Sequence, residues 1–163
     1  MAIRRPRHGF VLIVTCVALT ILLGFAALAI DIARMCVIQS ELQAFTDAAA
    51  LGAALQLDGG PEGIKHAREA APQLASGPHA MKWDMGTKPI SGIAESFAAG
   101  SESPDPRTWT ANPKDASSYH FVRVTASAPA PLVFLRIFQP RDASTVAATS
   151  VATKTPSAAR LME

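Results

Sequence analysis

The chain has 163 residues, of which 49% are hydrophobic and only 17% are charged, and its formal net charge is +2. Ordinary soluble domains carry about 25% charged residues, so this composition indicates a membrane segment and excludes a disordered chain. Arg4, Arg5 and Arg7 account for the positive balance, and no basic patch interleaved with aromatic residues follows them, which argues against a nucleic-acid-binding protein.

An uncharged apolar run covers residues 10–30. As a helix these 21 residues would span about 31 Å, the thickness of the hydrocarbon core of a bilayer. The three arginines lie on its N-terminal side, and positively charged flanks stay in the cytoplasm. We therefore predict a cytoplasmic basic tail over residues 1–9, a single transmembrane helix over residues 10–30, and a periplasmic or extracellular remainder.

A cleaved secretory signal peptide is the competing interpretation of this run. Ala27, Leu28 and Ala29 form an Ala-x-Ala sequence after the apolar stretch. However, the run exceeds the roughly 7 to 15 residues of a signal-peptide core, and the helical pattern continues beyond the supposed cut. Cleavage there would divide a helix, so we favour an anchor that stays attached.

The helical pattern continues over residues 31–57, which contain no proline. Apolar residues recur there at alternating intervals of three and four, as in an amphipathic helix. We predict that this stripe is a packing surface, covered either by the protein's own head or by a neighbouring protein; its members are Met35, Ile38, Leu42, Phe45, Ala49 and Gly52. Polar residues Ser40, Gln43 and Asp47 fall on the opposite side. Asp31 and Arg34, one turn apart, are predicted to pair where the helix leaves the membrane.

Two cysteines, Cys16 and Cys36, lie on this predicted helix. At 1.5 Å per residue they are about 30 Å apart, too far for a disulfide within one chain. Cys36 could join two copies of the chain in an oxidising compartment. A homo-oligomer is therefore an open alternative.

The sequence from Asp58 to Pro61 is predicted to end the long helix, since its two glycines suit a helix end and proline cannot continue one. A second helix is predicted over residues 62–75, with Pro72 bending it or ending it early. Beyond it we predict short strands over residues 80–85 and 91–98, a loop over 99–118, a strand over 119–126, a helical turn within 132–138 after Pro131, a turn over 139–142 and a last strand over 145–153.

In the strand over residues 119–126, His120, Val122, Val124 and Ala126 alternate with the remaining side chains and are predicted to face the core. The predicted fold class is α+β. It consists of a long transmembrane helix with an amphipathic extension, a second short helix and a small antiparallel-sheet head over residues 58–153. Residues 154–163 are predicted to be a flexible tail.

Motifs of catalysis are missing from the sequence, which has no Gly-x-Ser-x-Gly elbow, phosphate loop, His-Glu-x-x-His or Cys-x-x-Cys. The candidate metal ligands His66, His79 and His120 are too scattered for a typical metal site. Asp84 beside Trp83, and Asp115, have no catalytic arrangement around them. We therefore predict a non-enzymatic protein without cofactor or metal.

Three stretches in the first third of the chain each resemble an ordinary helix but are specific in combination. They are RHGFV at 7–11, LGFAALAIDIAR at 23–34 and LQAFTDAAAL at 42–51. In this combination the chain resembles the TadE/TadG-like proteins of tight-adherence (Flp) pilus assembly. The head is similar to the Tad-like C-terminal domain of such proteins at KWD (82–84), FVRVTA (121–126), PLVFLRIF (131–138) and VAATSVA (146–152).

The resemblance implies a non-catalytic, membrane-anchored structural component of pilus assembly, whose partners are the lipid bilayer and other pilus-assembly or pilin-like proteins. In pilin-like relatives a prepilin peptidase cuts after a glycine, and Gly9 before Phe10 matches that position. Val14 stands where pilins carry Glu, which favours a permanent anchor. The alternatives are a minor pilin subunit of the filament and a membrane-tethered module that binds a ligand outside the cytoplasm.

Overall fold

The structure, a computed structural model, describes residues 8–100, 103–113, 116–137 and 143–154. The basic tail at 1–7, the predicted turn at 139–142 and the tail at 155–163 lie outside the described residues.

The dominant element is one uninterrupted helix, α1, from His8–Gln56. It has no internal proline, and it ends where Leu57 donates a hydrogen bond to the carbonyl of Ala54 at 3.2 Å. Gly59 then adopts a positive φ of 82°, a conformation that glycine allows without strain. The predicted long helix and its stop are thus confirmed as parts of the fold.

Within the described residues, the N-terminal part of α1 is largely uncovered by protein. The most apolar stretch of the helix is entirely unburied, and by length and composition it could cross a membrane. In contrast, Ile38, Leu42, Phe45 and Ala49 of the C-terminal part are fully buried. One helix therefore combines a bare apolar half with a half that forms the core of the head.

A second helix, α2, covers Pro61–Ala75 and buries Ile64, Ala67 and Ala71 against the core. Gly63 is required in its first turn, because a Cβ there would collide with Asp58 Oδ1 and lie 2.7 Å from the carbonyl oxygen of Gln56. Pro72 does not end the helix early. The proline removes one backbone hydrogen bond, yet the helix continues to Ala75 and Leu74 packs against the core.

Five strands complete the head. Strands β1 and β2, of two residues each, pair as a short hairpin. The other three strands form an antiparallel sheet in the order β3-β4-β5. The strands are β1 Lys82–Trp83, β2 Lys88–Pro89, β3 Ala94–Ala99, β4 Tyr119–Pro131 and β5 Ala143–Thr153. Short 3-10 helices cover Ala116–Ser118 and Leu135–Ile137, and the second is the helical turn predicted after Pro131.

Strand β4 is longer than predicted, since it passes through Pro129 and reaches Pro131 instead of ending at Ala126. Pairing with β3 ends at Thr125, so one side of the later part of β4 is an open edge. Prolines, which lack a backbone N–H, are tolerated at such an edge. The remaining side of this part of β4 pairs with β5.

The predicted inward orientation of His120 is wrong, because His120 is exposed and Phe121 is buried. The register between β3 and β4 shifts between Ala98 and Ala99, whose partners are Phe121 and Tyr119. This bulge leaves His120 out of the pairing and turns Phe121 toward the interior. The other three inward residues, Val122, Val124 and Ala126, are buried as predicted.

The core lies between α1, α2 and one face of the sheet. Helix α1 contacts β4, β5 and α2. Helix α1 packs against the small antiparallel sheet and α2 packs against α1, so the fold is α+β, as predicted.

Candidate functional site: the junction between anchor and head

The predicted stripe of α1 lies under the protein's own head. Ile38, Leu42, Phe45 and Ala49 have no exposed surface, and Met35 is partly buried against the same core. Gly52 faces α2, where an added Cβ would meet the Cβ of Ala70 at 3.9 Å. The structure therefore brings the six stripe residues together on the face that the head covers.

Polar contacts form a second layer at the point where α1 enters the head. We call this group the junction and define it by Asp31, Arg34, Asp84, Lys88 and the backbone of residues 133–135. Its members come from α1, from the β1-β2 hairpin and from the segment after β4.

Asp31 binds the segment after β4 through its carboxylate. The backbone N–H groups of Val133, Phe134 and Leu135 donate to it at 3.2, 2.8 and 2.6 Å. Burial raises the pKa of Asp31, but these three hydrogen bonds and the charge of Arg34 outweigh it and hold the pKa below its ordinary value. Asp31 is thus a buried anion that fixes three consecutive backbone groups.

Arg34 binds Asp84 in the hairpin. Its Nη2 donates to both carboxylate oxygens at 2.9 and 3.0 Å, and its Nε donates to Oδ1 at 3.2 Å. Lys88 adds a second cation 3.3 Å from Asp84 Oδ2. The hydrogen bonds from Arg34 lower the pKa of Asp84 more than burial raises it, and Lys88 lowers it further, so this pKa lies below its ordinary value. Such a forked pair fixes orientation as well as distance.

The prediction that Asp31 and Arg34 pair with each other is therefore wrong. Each side chain binds a residue of the head that is distant in sequence, because the folded head offers Asp31 three N–H donors and offers Arg34 a buried carboxylate. Asp84, which looked like an isolated acid in the sequence, is the partner that sequence reasoning missed. A single acid and a single base directly after a long uncharged run were the only signal.

The hairpin that carries Asp84 is itself attached to α1. Asp84 and Met85 both adopt positive φ, 56° and 57°, in the turn between β1 and β2. The backbone N–H of Met85 donates to Glu41 Oε1 at 3.0 Å. Trp83 links the two strands of the hairpin, since its Nε1 donates a hydrogen bond to the carbonyl of Pro89 at 2.9 Å.

Farther along α1, polar residues bind Ser150 of β5. Gln43 Nε2 donates to the Ser150 hydroxyl at 3.0 Å, and the Thr46 hydroxyl lies 2.8 Å from it. Ser150 also donates to Asp47. Gln43 and Asp47 therefore flank the packed face and bind the sheet, whereas Ser40 is exposed.

The other candidate residues lie apart from the junction. Gly9 and Phe10 are in the first turns of α1, and Phe10 is largely exposed. Cys16 and Cys36 are exposed free thiols on the same helix. Within the described parts of the chain, no group of three His, Cys, Asp or Glu side chains could hold a metal ion.

A family model matches residues 9–56, and its description is Tad, "Putative Flp pilus-assembly TadE/G-like". Neither the curated proteins nor the solved structures contain a match to the chain. The matched segment coincides with α1 and includes Asp31 and Arg34 of the junction. The head lies outside the match, so its resemblance to the Tad-like C-terminal domain stays a prediction. For residues 9–56, however, the resemblance is confirmed, because this segment matches the TadE/G-like family model.

Proposed function

We propose that the chain is a non-catalytic, membrane-anchored structural component of Flp pilus assembly. In this proposal α1 crosses the inner membrane once, residues 1–9 face the cytoplasm and the head lies outside the cytoplasm. The head presents its outer surface to other pilus-assembly or pilin-like proteins.

One observation carries the proposal: α1 passes without interruption from a bare apolar half into the core of the head. The bare half needs an apolar environment because large side chains such as Leu22 and Phe25 are more than 60% exposed. The junction begins at Asp31, the first charged residue after the apolar run. The proposed anchor and the head are thus joined by one continuous helix, as a structural component would require.

The orientation can be tested by labelling from outside the cell. Pro106 is exposed in the head, so Pro106→Cys in a Cys16→Ala/Cys36→Ser background gives one reactive thiol. We expect a membrane-impermeant maleimide to label it in intact spheroplasts, and a Cys placed at position 3 to be labelled only after lysis. The reverse pattern would contradict the proposed orientation.

The filament alternative needs a separate test, because an apolar helix suits both a bilayer and a filament core. Purified pili should lack the chain if it is a permanent anchor, and the mature protein should begin at Met1 or Ala2. A mature N-terminus at Phe10 together with recovery in pili would establish a minor pilin. A mature N-terminus at Ile30 would support the signal-peptide interpretation.

A further inference from the structure

The segment after β4 exposes apolar side chains next to the bare half of α1. We call residues 132–137 the apolar loop; it reads Leu-Val-Phe-Leu-Arg-Ile. Val133 is 52% exposed and Phe134 is 36% exposed, although they belong to a small head with a core of its own. Arg136 is the only charged residue of the loop.

The apolar loop lies at the level where α1 would leave the membrane. Asp31, directly after the uncharged run, holds the loop backbone through three hydrogen bonds. Phe134 and Leu135 also line one groove together with side chains of α1, all of them within the predicted span: Ile21, Leu23, Phe25, Leu28 and Ile30. The exposed surface of the loop is therefore continuous with the surface that would face lipid.

The backbone N–H groups of residues 133–135 already have a hydrogen-bond acceptor, which suits a position in the membrane interface. In a layer poor in water, unpaired N–H groups are strongly unfavourable, so irregular backbone enters it only when these groups have partners. The carboxylate of Asp31 accepts from three consecutive N–H groups of the loop.

We propose that the apolar loop inserts Val133, Phe134 and Leu135 into the interfacial layer of the lipid bilayer beside α1. The inference rests on the proposed membrane span of α1 and adds a second membrane contact to it. With a single membrane helix alone, the whole molecule is free to rotate about the helix axis. With the loop inserted as well, one side of the head faces the bilayer and the opposite side faces partner proteins.

The test uses the full chain in a Cys16→Ala/Cys36→Ser background, reconstituted into vesicles of phosphatidylcholine and phosphatidylglycerol. A polarity-sensitive fluorophore is attached at Phe134→Cys or, as a second position, at Val133→Cys. Val151→Cys is the matched control, because Val151 is also about half exposed but lies on β5 beside Ser150, which contacts α1 near Asp47. That level is about 25 Å beyond residue 30 along the helix.

We expect bromine-labelled lipids to quench the probe at 133 and 134 and aqueous iodide to quench the probe at 151. Iodide quenching at 133 and 134 equal to that at 151 would overturn the inference, as would protection from both quenchers, which means that protein covers the loop. A probe at Leu22→Cys separates the two proposals. If lipid quenches position 22 but not 133 or 134, only the inference fails; if lipid fails to quench position 22, the membrane span fails.

Discussion

Phe45 joins α1 to the head, and its truncation tests whether the stripe belongs to the protein's own core. Its side chain has no exposed surface and lies in the cluster with Val122 and Val124. Truncation of a buried phenylalanine to alanine typically lowers the free energy of unfolding by about 3 to 5 kcal/mol. Small domains have only about 5 to 15 kcal/mol in total. We therefore expect Phe45→Ala to lower the melting temperature of the head by more than about 10 °C.

The measurement uses full-length protein in detergent micelles, with the fluorescence of the two head tryptophans, Trp109 and the buried Trp83, as the reporter of unfolding. Leu51→Ala is the matched control, because Leu51 lies on the same helix but is 60% exposed. Its stability should change by less than about 0.5 kcal/mol. Equal melting of the two variants would refute the reasoning. If Phe45→Ala melted like the wild type and abolished piliation, the stripe would instead contact a partner.

Three further predictions concern charged groups. Arg34→Ala should lower the free energy of unfolding by about 1.5 to 3 kcal/mol in urea titrations, whereas Lys65→Ala, which removes an exposed pair, should change it by less than about 1 kcal/mol. Asp31→Asn should destabilise the head at pH 7, and the difference from the wild type should shrink as the pH falls below 3.8, because a lowered pKa contributes stability only above that range. Burial raises the pKa of Glu95 to about 7, so stability should fall between pH 4.5 and about 7, and Glu95→Gln should flatten this slope in melting curves.

The helices were predictable because their signals are local. Apolar residues at intervals of three and four, with no proline between residues 10 and 57, predict α1, and the sequence from Asp58 to Pro61 predicts its end. The same period singled out the stripe on which the head packs. Strand β5 was also within two residues of its observed start, since Val, Thr and Ala dominate it.

The junction was not predictable, because its contacts join residues far apart in the chain. Arg34 and Asp84 are 50 residues apart, and Asp31 and Val133 are 102 apart, so no periodicity connects them. Strand β1 lies within the strand predicted over residues 80–85, but the turn after it and β2 were missed. The turn places Asp84 and Met85 at positive φ, which residues other than glycine rarely adopt, so Gly86 alone did not signal it.

The position of the junction has a consequence for how the head could act in assembly. A flexible linker would let the head move independently of the membrane, but the predicted span ends at residue 30 and Asp31, the next residue, already accepts hydrogen bonds from the head. Arg34 follows within one turn, and Ile38 begins the packed stripe. A partner that pulls on the head therefore also tilts or rotates α1, because the part-buried Arg34–Asp84 pair, the hydrogen bonds of Asp31 and the core packing must break before the two can move apart. The sequence match over residues 9–56 covers both the proposed membrane span and the part of α1 that binds the head. In the proposed assembly role, span and head therefore move together, and the hydrogen bonds of Asp31 and Arg34 link them.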